Sequence, residues 1–310
     1  DPELRLKAIE LGHFGPLEPE IAEHLVGYTY LILGREELWI ARLYSIVAWM
    51  IGGVGLFALA RRLTSPGAGV FSLGFYLLLP FGVIGSRAFL PDVYMVMWTM
   101  LAAWAFHRWT DEHRWPQAVV AGLLAGMAIL TKVFAFFPLA AVAFALLAST
   151  RGLRRSLADP QAWVCAALAG IIPSWYYFWG LPGAASTYVS GWVLGFSNLL
   201  LSPTFYARWA AMVRNVTGVP FALAGLLGVT LVSRRGRAAL LGLWAGYALI
   251  GLSVPSLIIS HSYYSLVLVP VVALSLSPLA EVVFARLAAQ PAIWKAAAGI
   301  VAVAGLLYPA

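Results

Sequence analysis

The sequence predicts an all-α, polytopic transmembrane bundle, and three observations predict it. Hydrophobic residues make up 62% of the 310 positions and charged residues only 11%. Mean hydropathy is +0.85, which places the chain in the membrane class. The apolar residues fall in long runs, and arginines gather in every second connection between those runs. A helical span needs roughly 20 apolar residues rising about 1.5 Å each. Barrel strands would instead alternate with period two in stretches of about 10 residues, and the runs lack that alternation.

Taken in order, positions 1–37 read as an outer loop with short amphipathic helices. Positions 4–11 have weak helical periodicity, ended by Gly12, Gly15 and Pro16. Positions 21–33 follow Pro19 and are apolar over much of their surface, which suits a helix lying along the interface. Spans are expected at 38–60, 68–86, 93–107, 162–179, 219–232, 238–259, 264–279 and 296–308. As one helix, the run 118–149 would be about 48 Å long, too long for one ordinary crossing. It reads as two short helices meeting near Lys132. The result is about ten spans, in two regions. One is the loop at 1–37. The other is the bundle at 38–310, which includes a long amphipathic outer loop at 180–218. That loop carries Trp192, Phe196, Phe205, Tyr206 and Trp209 with Arg208 and Arg214, an interfacial composition.

Charge sets the orientation. Arg61 and Arg62, Arg108 and Arg114, Arg151 to Arg155, Arg234 to Arg237, and Arg286 with Lys295 mark alternate loops. The positive-inside rule makes these loops cytoplasmic. The parity works only if 118–149 crosses twice. Positions 1–37, 87–92, Lys132, 180–218 and 260–263 then face outward. Eight of the 13 acids precede the first span, so a further helix ahead of Asp1 is expected to export them. The net charge of +7 sits in short loops and gives no reason to expect nucleic acid. Cys165 is the lone cysteine and excludes an intrachain disulfide. No internal repeat supports an inverted-repeat transporter.

Four ionisable residues (Arg87, Asp92, Lys132 and His261) interrupt apolar runs on the outward side. Charges beside hydrocarbon are costly and are functional candidates by default. Pro91 suits a first helical turn, and an acid there complements the helix dipole. Asp92 therefore has a structural reading beside a functional one. Arg87 and Asp92 together could form one wall of a polar site. Lys132 either snorkels to headgroups or holds a phosphate as a point charge. His261, next to Tyr263 and Tyr264, suits phosphate donation, metal binding or proton transfer. No His-x-x-x-His, Cys-x-x-Cys or phosphate-binding glycine motif is present. Glycosyl transfer would need a carboxylate to take the acceptor proton, and Asp1 and Glu3 are natural choices if a helix ends just before them.

Five ordered segments carry a family resemblance. They are Asp1-Pro2-Glu3; Gly34-Arg35-Glu36-Glu37-Leu38-Trp39-Ile40-Ala41-Arg42-Leu43-Tyr44-Ser45; Pro91-Asp92; Gly122 to Lys132, ending Leu130-Thr131-Lys132; and His261-Ser262-Tyr263-Tyr264 continuing to Pro270. Together they resemble the polyprenyl-phosphate-dependent GT-C glycosyltransferases, nearest to the protein mannosyltransferase and aminoarabinose transferase branch. The resemblance implies an inverting membrane transferase that moves a sugar from a polyprenyl-phosphate carrier to a lipid, glycan or protein acceptor on the outer face. It implies Asp1 as catalytic base with Glu3 beside it, and Asp92 as a second outer-loop acid. Lys132 would neutralise the donor phosphate, with His261, Tyr263 and Tyr264 near the donor headgroup. Arg87, on its position alone, is expected to join Lys132 and His261 in stabilising the leaving phosphate. A divalent cation could sit on the outer carboxylates, but no spacing defines a metal site. The family's usual Asp-Glu is interrupted by Pro2, and its usual Pro-Pro stands here as Glu18-Pro19-Glu20. The expected location is a bacterial inner (plasma) membrane with the site facing the periplasm or exterior, among membrane lipids. A secondary transporter and a non-catalytic membrane scaffold are the rival readings.

Overall fold

The computed structural model describes residues 18–180, 191 and 195–307. Asp1 and Glu3, and the periodic stretch at 4–11, lie outside the described residues. All regular structure described is helical. We number the helices α1 (Ile21–Leu33), α2 (Leu38–Leu63), α3 (Pro66–Leu78), α4 (Pro80–Ser86), α5 (Pro91–Glu112), α6 (Trp115–Thr131), α7 (Phe136–Thr150), α8 (Leu153–Leu157) and α9 (Pro160–Trp175). Beyond the outer loop come α10 (Pro203–Thr217), α11 (Val219–Gly228), α12 (Arg234–Ser253), α13 (Pro255–Ser260), α14 (Leu268–Ala288) and α15 (Ala292–Leu307).

Proline sets many of the boundaries. Pro66, Pro80, Pro91, Pro116, Pro160, Pro203, Pro220 and Pro255 each stand in the first turn of a helix. A first-turn N–H has no intrahelical partner, so its loss costs nothing there. Pro138 lies just beyond the break near Lys132, in the first turn of α7. A proline blocks the helical bond to the carbonyl four residues earlier and clashes with it. The helical bond to Phe134 O is therefore missing. The chain leaves α6 at Thr131, passes Lys132 in extended conformation (φ −157°, ψ 121°) and makes a short 3-10 turn at Val133–Ala135. Then α7 begins.

Four helices are long and apolar enough to cross a membrane: Leu38–Leu63, Val133–Thr150, Arg234–Ser253 and Ser262–Ala288. Two bent pairs, Pro66–Leu78 with Pro80–Ser86 (63°) and Pro203–Thr217 with Val219–Leu231 (87°), raise the number to six if each is one span. Helix length and apolarity among the described residues thus do not reach the ten crossings expected. The shortfall has physical causes. α6 and α9 have only 17 and 16 residues. α5 has 22 but carries Asp92, His107, Arg108, Asp111 and Glu112.

α14 is the centre of the bundle. Every residue from Leu268 to Pro278 is buried, as a helix apolar on all sides should be. Several buried polar side chains find carbonyls or each other, as hydrocarbon surroundings favour. Ser72 donates to Ala273 O at 2.7 Å, Tyr76 to Trp49 O at 3.1 Å, and the Trp109 indole to Gln161 Oε1 at 2.9 Å. Small residues let helices approach closely. A Cβ on Gly246 of α12 would lie 2.1 Å from Pro138 Cα of α7, and one on Gly242 would lie 2.6 Å from Val142 Cα. That register makes α7 and α12 antiparallel.

Charged contacts collect at one end of the bundle. Asp111, at the end of α5, pairs with Arg62 at the end of α2 at 2.7 Å and with Arg235 at the start of α12. Asp159, just before α9, accepts from His113 at 2.8 Å and from Arg151 after α7 at 3.1 Å. The start of α6 and the end of α7 therefore lie at the same end, as two crossings of 118–149 require. Arg62, Arg108, Arg151 and Arg235, four of the arginines chosen as markers of one face, share that end.

Candidate active site

At the opposite end, two chain breaks bring charges together. Pro91 opens α5 and places Asp92 in its first turn, where the side chain is 1% exposed. The interruption between α6 and α7 presents Lys132, whose side chain is 5% exposed. The Lys132 ammonium donates to Asp92 Oδ2 at 2.7 Å. A buried pair offsets its desolvation only with good geometry and further partners, and here further partners are present. Glu18 Oε1 is 3.7 Å from the Lys132 nitrogen. The rings of Tyr264 and Tyr263 lie 4.7 Å and 5.3 Å from it, in cation–π range.

Neighbouring contacts fix those tyrosines. They belong to the turn Ser262–Ser265, which leads into α14. Tyr264 packs edge-on against Phe134 at 5.5 Å, joining this turn to the break beside Lys132. The exposed His261 ring lies 5.3 Å from Tyr263 and 6.4 Å from Tyr264, and its Nδ1 is 2.8 Å from Ser260 Oγ. Tyr177, at the end of α9, donates to Leu130 O at 3.1 Å and braces α6 just before the break. Asp92 Oδ1 is buried with no hydrogen-bond partner among the described residues. Burial pushes the Glu18 carboxyl above its ordinary value, while Lys132 pulls the other way.

The structure thus brings Asp92, Lys132, Tyr263 and Tyr264 into contact, with His261 at their edge. It does not join Arg87 to them. Arg87 ends α4 on an exposed turn at the same end of the bundle, without a side-chain hydrogen bond or ion pair to any described residue. Sequence reasoning missed Glu18, which stood among the loop acids and in the place of the family's Pro-Pro. Its only signal was position, directly before an interfacial helix on the same side as Lys132. Among the described residues, no group of three or more His, Cys, Asp or Glu side chains could hold a metal ion. A groove of about 190 Å³ lies beside the cluster, between α1, α2, α5 and α6, lined by Ile21, Leu25, Tyr44, Ile51, Tyr94 and Trp98.

A bundle of apolar helices with a buried, lysine-centred ionic cluster at one end defines an integral membrane protein with a polar site near one end. The chain belongs to the dolichyl-phosphate-mannose-protein mannosyltransferase family, whose profile matches residues 18–179, just over half of it. This is a GT-C type family, as the ordered motifs implied, and membership makes the protein a membrane glycosyltransferase that uses a polyprenyl-phosphate sugar donor. The matched segment contains Glu18, Asp92 and Lys132, while His261, Tyr263 and Tyr264 lie beyond it. Comparison with curated proteins and with solved structures gives no match.

Proposed function

We propose that the chain transfers a sugar, with inversion, from a polyprenyl-phosphate donor to an acceptor hydroxyl at the outer face of the membrane. The observation that carries this reading is the buried Lys132–Asp92 pair, walled by two tyrosines, at the end of the bundle away from the arginine clusters. The acceptor oxygen bonds to the anomeric carbon, and the bond from that carbon to the phosphate oxygen breaks. The acceptor proton passes to a carboxylate, Asp1 with Glu3 beside it. Negative charge grows on the leaving polyprenyl phosphate, and a preorganised ammonium lowers the barrier most where that charge develops. Asp92 holds the ammonium in place through Oδ2. His261 and the outward-facing Arg87 complete the headgroup surroundings. Holding a lipid-borne donor between helices removes much of the entropic cost of the encounter.

Sidedness gives a direct test. Arg87→Cys in a Cys165→Ala background places a single thiol on the exposed turn beside the cluster. In intact bacterial cells, a membrane-impermeant maleimide applied from outside is expected to label it. Labelling only after the membrane is broken would overturn the outer-face assignment. Transfer itself is tested by the Lys132 variant taken up in the Discussion.

A further inference from the structure

We infer that Glu18 and the donor phosphate compete for the Lys132 ammonium, so that phosphate binding releases Glu18 and with it the front of α1. The inference rests on the reading of Lys132 as the donor-phosphate ligand.

An ammonium has three donors, and its surroundings here are crowded. Asp92 takes one at 2.7 Å from a position that is 1% exposed. Aromatic faces lie at 4.7 Å and 5.3 Å. Glu18 stands at 3.7 Å with its side chain 27% exposed. That distance is an ion pair without a hydrogen bond, so Glu18 is the weaker and more accessible of the two acids. Two carboxylates and one ammonium already leave the cluster with an excess negative charge. A phosphate added beside both carboxylates would meet like charge on two sides. Asp92 is locked into the first turn of α5. Glu18 precedes α1, and only Pro19 and Glu20 separate it from that helix.

α1 is held lightly enough to follow. Val26 is its one buried residue. Among the described residues, its side-chain hydrogen bonds to other elements are Thr29 to the Tyr44 hydroxyl at 2.8 Å and Tyr30 to Glu37 O at 3.1 Å, both toward its far end. Its near end, Ile21, Ala22 and Leu25, covers the apolar groove, whose lining also includes Pro91 and Thr131, the residues directly before Asp92 and Lys132. Anion site and groove are therefore adjacent. Releasing Glu18 loosens the groove's cover when a phosphate carrying a lipid chain arrives. Glu18 is in this sense a positioning residue that couples headgroup binding to access for the chain.

The test uses the full chain in lipid nanodiscs, with undecaprenyl phosphate as the probe. Glu18→Gln removes the competing charge and is expected to bind the probe about fivefold more tightly or better, the lower range of coupling at a shared site. Hydrogen exchange of the amides at 21–33 is expected to rise when the probe binds the unaltered protein, and to be already raised in Glu18→Gln without it. Equal or weaker binding by Glu18→Gln, or exchange at 21–33 unmoved by the probe in the unaltered protein, overturns the competition. Failure of the underlying reading looks different. The unaltered protein would then show no saturable binding, or Lys132→Ala would bind as well as the unaltered protein.

Discussion

Lys132→Ala is expected to lower sugar transfer by about a hundredfold or more, the usual loss when one preorganised stabiliser of developing charge is removed. Lys132 is buried among two acids and two aromatic rings, and no other cation makes an ion pair with Asp92 or Glu18 among the described residues. Removing it also strands Asp92 in a buried position, so part of any loss could come from instability. The double variant Lys132→Ala with Asp92→Asn separates the two effects, because it leaves no buried charge behind. Thermal unfolding of the double variant should return toward that of the unaltered protein while transfer stays lost. Near-normal transfer by the double variant would mean that the lysine serves only to neutralise Asp92. The assay follows a radiolabelled sugar from a polyprenyl-phosphate donor.

Asp92→Ala is expected to produce the largest loss of stability. Removing one partner of a buried ion pair leaves the other uncompensated, at a cost of about 3–5 kcal/mol. Glu18 softens the effect, since it already lies 3.7 Å from the ammonium. The pair also spans a gap of 40 residues and fastens the start of α5 to the break between α6 and α7. Losing it should loosen the turn at Val133–Ala135 and the packing of Phe134 on Tyr264. Chemical unfolding in detergent micelles measures the difference. A midpoint equal to that of the unaltered protein would show that the pair does not hold these elements together.

Several parts of this arrangement were legible in the sequence for stateable reasons. The break near Lys132 followed from a run too long for one helix, and the charge parity required it independently. The structure adds its form, an extended Lys132 followed by a 3-10 turn at Val133–Ala135. The helix at 21–33 was legible because it follows Pro19 and is apolar over much of its surface, and its residues form a helix with those bounds. Asp92, Lys132 and the tyrosines stood out because polar groups within apolar runs are costly. Their contacts were not legible, since nothing local links position 92 to position 132 or to 263. Arg87 shows the converse. Closeness in sequence to Asp92 made it a candidate, yet its side chain makes no hydrogen bond or ion pair with the described members of the ionic cluster. Glu18 was hidden because it is one of eight acids before the first span, and only the fold distinguishes it from the others. Fewer than ten of the described helices are long and apolar enough to cross, because α5, α6 and α9 are short or interrupted by charge. Hydropathy alone does not say whether such a helix crosses or stops within the bundle.

The central claim is that Lys132 is where the donor phosphate binds. A structure of the chain with a polyprenyl phosphate bound tests it in one measurement. The phosphate oxygens are expected within about 3 Å of the Lys132 ammonium, the usual range of a charge-assisted hydrogen bond, with Asp92 still in contact with the lysine. A phosphate seated at the opposite end, against Arg62, Arg151 or Arg235, would contradict it.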